Sequence, residues 1–173
     1  MKIIKLILSL TIIAAVCAGV LASVNAVTKE TIKGIRAQQT LAAAAAVMPP
    51  AVDATKVEAL AEGVFVGKDA AGKPAGYAVR GSDPSGYGGD IVLMVGFEAD
   101  KKTVVCYKVL EASETPGLGS NLTTPGFSEQ FKGKDGSSLS VKKDGGEIEA
   151  ITSATITSRA VCRAIADASK KLK

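Results

Sequence analysis

Hydroxyl side chains crowd one stretch near the carboxyl terminus, Glu149-Ala150-Ile151-Thr152-Ser153-Ala154-Thr155-Ile156-Thr157-Ser158, and Arg159 follows directly. Beyond it, Val161, Ala164, Ile165, Ala168 and Leu172 recur at helical spacing. A helix starting there points its unbonded backbone N–H groups and the positive end of its dipole at the hydroxyls. That arrangement favours an anion, and a phosphate group is a natural occupant. Ser and Thr are also the preferred N-cap residues of any helix, so the plain alternative is a capped helix without a ligand.

The composition narrows the chemistry further. The chain has three Cys and no His. Ser-His and Cys-His catalytic pairs are therefore excluded, which counts against hydrolases and leaves a cofactor to carry any chemistry. Cys17, Cys106 and Cys162 show no metal-ligand spacing. Cys106 and Cys162 either pair in an oxidising space or stand as two buried thiols. Gly86-x-Gly88-Gly89 does not open a helix after a strand, so it is no dinucleotide fingerprint.

These residues need a scaffold, and the sequence of 173 residues is long enough for one domain and one membrane segment. Leu6 to Thr28 carries no charge. At helical rise this run can cross a hydrocarbon core of about 30 Å. A cleaved signal peptide is the alternative, given the small residues of Ala22-Ser23-Val24-Asn25-Ala26, but the run is longer than a usual signal core. Lys2 and Lys5 lie before it, and Lys29, Lys33 and Arg36, with Glu30, after it, so charge bias hardly orients the span. Lys2 and Lys5 are two of 21 basic residues; the remaining 19 nearly balance 17 acidic ones. No clustered basic face for nucleic acid is expected.

From Thr28 to Met48 the pattern is helical and Ala-rich, and Pro49-Pro50 ends it. Residues 53–62 read as a short helix with Val57 and Leu60 inward. Val64–Val66 and Tyr77–Val79 flank a hairpin signal at Gly72–Ala75. Ser82 to Gly89 reads as a loop. Ile91–Phe97 reads as a central strand paired with Val104–Leu110, Phe127 and Phe131 mark a short helix, and Leu139–Val141 makes a last strand. The expected fold is α+β: a mainly antiparallel sheet with packed helices, preceded by one N-terminal transmembrane helix. Its divisions are an anchor over 1–28, a helical connection over 29–50 and a domain over 51–173.

Glu149-Ala-Ile-Thr152-Ser153-Ala154-Thr155 resembles the flavinylation motif Asp-x-x-(Ser/Thr)-Gly-Ala-Thr of FMN-binding domains such as the G subunit of the Rnf electron-transport complex. The C subunit of the sodium-pumping NADH:quinone reductase is a relative of that protein. Thr152, Ala154 and Thr155 match the motif, while Glu149 stands where Asp is usual and Ser153 where Gly is usual. Gly86-Tyr87-Gly88-Gly89-Asp90 before Ile91–Gly96 is similar to a strand entry of the Rnf protein. Glu114-Thr115-Pro116-Gly117-Leu118-Gly119 is similar to its loop, and Lys142-Lys143-Asp144-Gly145-Gly146 precedes the motif as it does there.

The resemblance implies a membrane-anchored flavoprotein subunit of an ion-translocating ferredoxin:NAD oxidoreductase complex, relaying electrons through covalently bound FMN without independent catalysis. It implies that Thr155 carries the FMN through a phosphoester bond. Thr152, Ser153 and Thr157 surround the phosphate with donors, Thr115 and Leu118 lie against the isoalloxazine ring, and Ala154 and Glu114 belong to the same cofactor-binding set. The plain alternative for Thr115 and Leu118 is a tight Pro-Gly turn with one core leucine. Implied partners are the other subunits of the Rnf complex, a flavin transferase using FAD and a metal ion, and the membrane. The implied location is the cytoplasmic membrane, single-pass, with the domain on the extracytoplasmic side. Two other readings are an anchored FMN-binding protein of another extracytoplasmic reductase and a pilin-like structural protein. The latter would need a cleavage site before Phe or Met and an acidic residue early in the span, and neither is here.

Overall fold

The computed structural model describes residues 2–53 and 56–173. It divides into two units, one ending at Gln39 and one running from Thr40 to Lys173.

The first unit is helical and belongs to α1 (Lys2–Val47). Within it Ile3–Lys29, 27 residues, is long and apolar enough to cross a membrane by length and composition. Three of its hydroxyls are satisfied locally. Thr11, Ser23 and Thr28 donate to the carbonyls of Ile7, Gly19 and Val24 at 2.9, 2.8 and 2.8 Å. Such back-bonding removes the need for water around a polar side chain in an apolar helix.

The second unit is a five-stranded antiparallel meander of order β1-β2-β3-β4-β5. The strands are β1 (Val57–Ala61), β2 (Val64–Lys68), β3 (Pro74–Gly86), β4 (Gly89–Glu98) and β5 (Val104–Glu111). β4 reads as a continuous apolar run because both of its faces are covered. On one face Ile91, Leu93, Val95 and Phe97 meet α3 (Thr155–Lys170) through Ala160, Val161, Ala164, Ile165 and Ala168, with Phe127 and Phe131 closing the end. Each such fully buried large side chain contributes about 1.5–3 kcal/mol. On the other face Met94, Ala78 and Phe65 meet Ala43, Ala44 and Val47 from the last turns of α1. Pro49 and Pro50 stop that helix, as their missing N–H groups require.

Close backbone approach fixes both layers. A Cβ on Gly81 of β3 would lie 2.1 Å from the Ala164 carbonyl oxygen, and one on Gly96 of β4 would lie 1.8 Å from that of Val47. Cys106 faces the α1 side, where its thiol reaches the Val47 carbonyl at 3.8 Å, whereas Cys162 is buried with the α3 core. Both are free thiols, and burial pushes Cys162 up to about 12, so it is inert.

The α+β architecture is as expected, but three local expectations are corrected. Residues 57–61 form edge strand β1 and not a helix, with Leu60 67% exposed; Ala54 and Thr55 lie outside the described residues. Its residues are held by pairing with β2, Val57 opposite Gly67 and Ala59 opposite Phe65, which overrides their local helix preference. The Gly/Pro/Ser-rich segment from Ser82 is strand as far as Gly86, because a register shift between Asp83 and Gly86 absorbs Pro84. Leu139–Val141 is no strand: Val141 makes only an isolated parallel bridge to Ile148.

Candidate functional site

The turn after β5 and the start of α3 meet in a cleft of about 410 Å³. The β3–β4 hairpin end forms a third side through Tyr87.

Glu114 is the joint. Its Oε1 accepts from the Tyr87 N–H at 3.0 Å, and its Oε2 accepts from the Thr157 hydroxyl at 2.8 Å. One carboxylate thus ties the hairpin end to the first turn of α3. The surrounding glycines leave it room. A Cβ on Gly119 would stand 2.3 Å from Glu114 Oε2, and one on Gly88 would stand 1.7 Å from the Ser113 carbonyl oxygen. Gly86 and Gly88 therefore serve close approach of two loops, whereas Gly89 takes φ +115° at the turn.

The loop that follows Glu114 is self-supporting. The Thr115 carbonyl accepts from the N–H groups of Leu118 and Ser120, each at 3.2 Å. Gly117 takes φ +75° at the turn, the conformation for which glycine is suited. This geometry leaves Leu118 41% exposed, facing the cleft. Ile156 at 48% and Tyr87 at 70% are exposed there too. Three large apolar side chains left open around one cleft mark a place for an apolar ligand surface.

The opposite end is polar. α3 begins at Thr155, and the first N–H to bond back within it is that of Ser158, to the Ala154 carbonyl at 3.0 Å. The N–H groups of Thr155, Ile156 and Thr157 precede that bond and have no carbonyl of the helix to meet. Ser158 is committed to structure: its hydroxyl donates to Ala154 O at 3.0 Å and accepts from Ile151 N–H at 2.9 Å. Thr157 is 1% exposed and committed to Glu114. Thr155 is only half-buried, and its Oγ1 accepts from Lys143 Nζ at 3.4 Å. Of the hydroxyls in the first turn of α3, Thr155 is the accessible one.

The residues singled out from sequence largely converge. Glu114, Thr115, Leu118, Ser153, Ala154, Thr155 and Thr157 all line the cleft. Thr152 does not; it lies in an adjoining groove with Gln130 and Glu149. Tyr87, Gly119, Ile156 and Lys143 join the site without having been assigned to it. Their sequence signals were weak, since only the folded chain brings Lys143 and Tyr87 to α3. Glu149 pairs with Lys142 at 2.7 Å at the surface, and that bond holds its carboxyl below the usual range.

Ser153 takes φ +61°, a left-handed conformation uncommon for a non-glycine residue. Ser153→Gly is expected to raise stability by about 0.5–1 kcal/mol. The check is a denaturant midpoint that rises with unchanged slope; a fall would mean that the serine side chain makes up for its backbone.

Residues 86–170 match the FMN-binding domain family. Along 95% of its length the chain is 35% identical to the G subunit of an ion-translocating oxidoreductase complex of Methanosarcina acetivorans, covering 91% of that protein. It is also 35% identical to the G subunit of the Na(+)-translocating ferredoxin:NAD(+) oxidoreductase complex of Acetobacterium woodii, over 91% of this chain and 84% of that one. Among solved structures it is similar to the C subunit of the Na(+)-translocating NADH-quinone reductase of Parabacteroides distasonis, with TM-score 0.50 and 28% identity. That match covers 64% of this chain and 60% of the other.

Proposed function

Because the chain belongs to the family of FMN-binding G subunits of ion-translocating oxidoreductase complexes, we propose that it carries FMN as a phosphoester on Thr155. It is an electron-transfer subunit and works with the other subunits of such a complex. Bound FMN supplies one- and two-electron chemistry that no side chain of this protein offers. The protein supplies position and field.

The observation that carries the reading is the two-ended cleft. The residues present fit the group: free N–H groups and an accessible hydroxyl at one end, exposed Leu118, Ile156 and Tyr87 at the other. The helix start and Lys143 would hold the phosphate, and the apolar side chains would flank the ring. Ala154 and Ser153 set the turn that presents Thr155, and Glu114 keeps the loop against α3. A phosphoester removes the dissociation equilibrium, so a carrier facing an open compartment keeps its flavin. Attachment in this reading is the work of a separate flavin transferase: Glu114, the carboxylate lining the cleft, is already engaged by Tyr87 N–H and Thr157 O–H.

The full-length protein made with its transferase should give a peptide containing Thr155 that is heavier by one FMN less water. The protein should stay yellow after denaturation. Unmodified wild-type protein under those conditions would overturn the reading.

The anchor in this reading is residues 1–28, with 29–50 as the helical connection to an FMN-binding domain over 51–173. The domain lies on the extracytoplasmic side. The apolar Ile3–Lys29 segment supports the anchor. Protease added to intact spheroplasts should digest the domain and leave cytoplasmic markers whole. Complete protection of the domain would place it inside.

A further inference from the structure

We propose that Lys143 is the positioning cation for the phosphoryl group at Thr155, both while the phosphoester forms and after it has formed. This rests on the attachment reading above and assigns a role to a residue that lies 12 positions away in sequence.

The short turn Lys142–Asp144 carries three charges, and the structure sends them to three different partners. Lys142 Nζ meets the Glu149 carboxylate at 2.7 Å. Asp144 takes Arg159 of α3 in a two-point pair at 2.6 and 2.7 Å. Lys143 meets no carboxylate among the described ion pairs; its ammonium donates to Thr155 Oγ1 at 3.4 Å. Because Asp144 and Arg159 lock the turn to α3, the backbone of Lys143 is held within side-chain reach of Thr155.

The field at Thr155 Oγ1 is then positive from two independent sources. One is the ammonium, and the other is the start of α3. Glu114, the acid that lines the cleft, has both oxygens already engaged, by Tyr87 N–H and Thr157 O–H. A neutral hydroxyl gains little from such a field. An alkoxide in formation or a phosphodiester monoanion gains from it, as charge-assisted hydrogen bonds do.

The step balances without any redox partner. The Thr155 Oγ–P bond forms at the FMN-side phosphorus of FAD, the P–O bond to the AMP half breaks, and AMP leaves. The hydroxyl proton goes to a base of the transferase, since Lys143 is already a donor. Lys143 stabilises the charge that appears on Oγ1 and on the phosphoryl oxygens.

The test uses the full chain in detergent, the cognate transferase, FAD and a divalent metal ion, and follows the rate of flavin attachment by in-gel fluorescence. Lys143→Met should slow attachment about fivefold at low salt, and the gap should close as salt screens the charge. Lys143→Arg should restore most of the rate, and thermal melting of all three proteins should coincide. An equal rate for Lys143→Met overturns the inference, and so does a slowing that ignores salt and is not rescued by Arg, which would report a structural role. No attachment to wild type would instead overturn the Thr155 reading itself.

Discussion

Thr155→Val is expected to remove covalent flavin altogether while leaving the fold intact. Valine keeps the shape and branching of threonine and deletes the oxygen proposed to form the ester. The lost contact is a single 3.4 Å hydrogen bond from an exposed lysine, so the stability change should stay within about 0.5 kcal/mol. Thr157→Val should do the reverse. Its hydroxyl is buried and bonded to Glu114, so removing it should cost about 1–2 kcal/mol yet leave flavin on Thr155. Peptide mapping and melting curves on the two variants check both halves. Flavin on Thr157 in wild type, or flavin persisting in Thr155→Val, would refute the assignment.

Gly81→Val is expected to produce a large loss of stability from a single change remote from the cleft. The added Cβ alone would meet the Ala164 carbonyl at 2.1 Å and the Ala168 methyl at 2.9 Å. Neither can retreat easily, because one is helix backbone and the other is fully buried. The helix must lift off β3, at a cost of about 3 kcal/mol or more. Thermal midpoints should fall by about 10 °C. Since α3 carries Thr155 at its start, flavin attachment should fall as well. Gly126→Ala is the control: nothing stands near its Cβ, and its midpoint should barely move. A Gly81→Val protein as stable as wild type would mean that helix and sheet are less tightly apposed than described.

Much of this was legible in the sequence where a segment's own chemistry decided its fate. Val64–Val66, Ile91–Phe97 and Val104–Leu110 are β-branched and apolar, and each is a strand. Pro49-Pro50 ends a helix regardless of surroundings. That Thr155 would stand in the cleft at the start of α3 was legible from its motif and the helical spacing after it. What failed was decided elsewhere in the chain. Val57–Ala61 contains residues suited to a helix and becomes a strand because β2 offers it an edge. Pro84 and the nearby glycines and serines signalled a loop, but β4 supplied pairing partners far along that segment. Within the site, Lys143 and Tyr87 could not be assigned, because ion pairs and a carboxylate from distant residues place them.

The departures from the flavinylation pattern have separate physical meanings. Ser153 occupies a left-handed position where glycine is at ease, so its cost is conformational. Glu149 is at the surface with Lys142, outside the cleft lining, so under the attachment reading proposed above its effect would act through recognition by a transferase.

The docking of Ala43, Ala44 and Val47 on Met94 and Phe65 determines where the chain can be cut for work without detergent. A fragment starting at residue 51, where the strand-bearing part begins, would strip a greasy lid from one whole side of the sheet. Met94, now fully covered, would face water, and the Cys106 thiol would lose its carbonyl neighbour. Such a fragment would tend to self-associate through the bared face. The usable scissors point lies upstream of Thr40, so a fragment that holds the sheet must keep the last turns of α1.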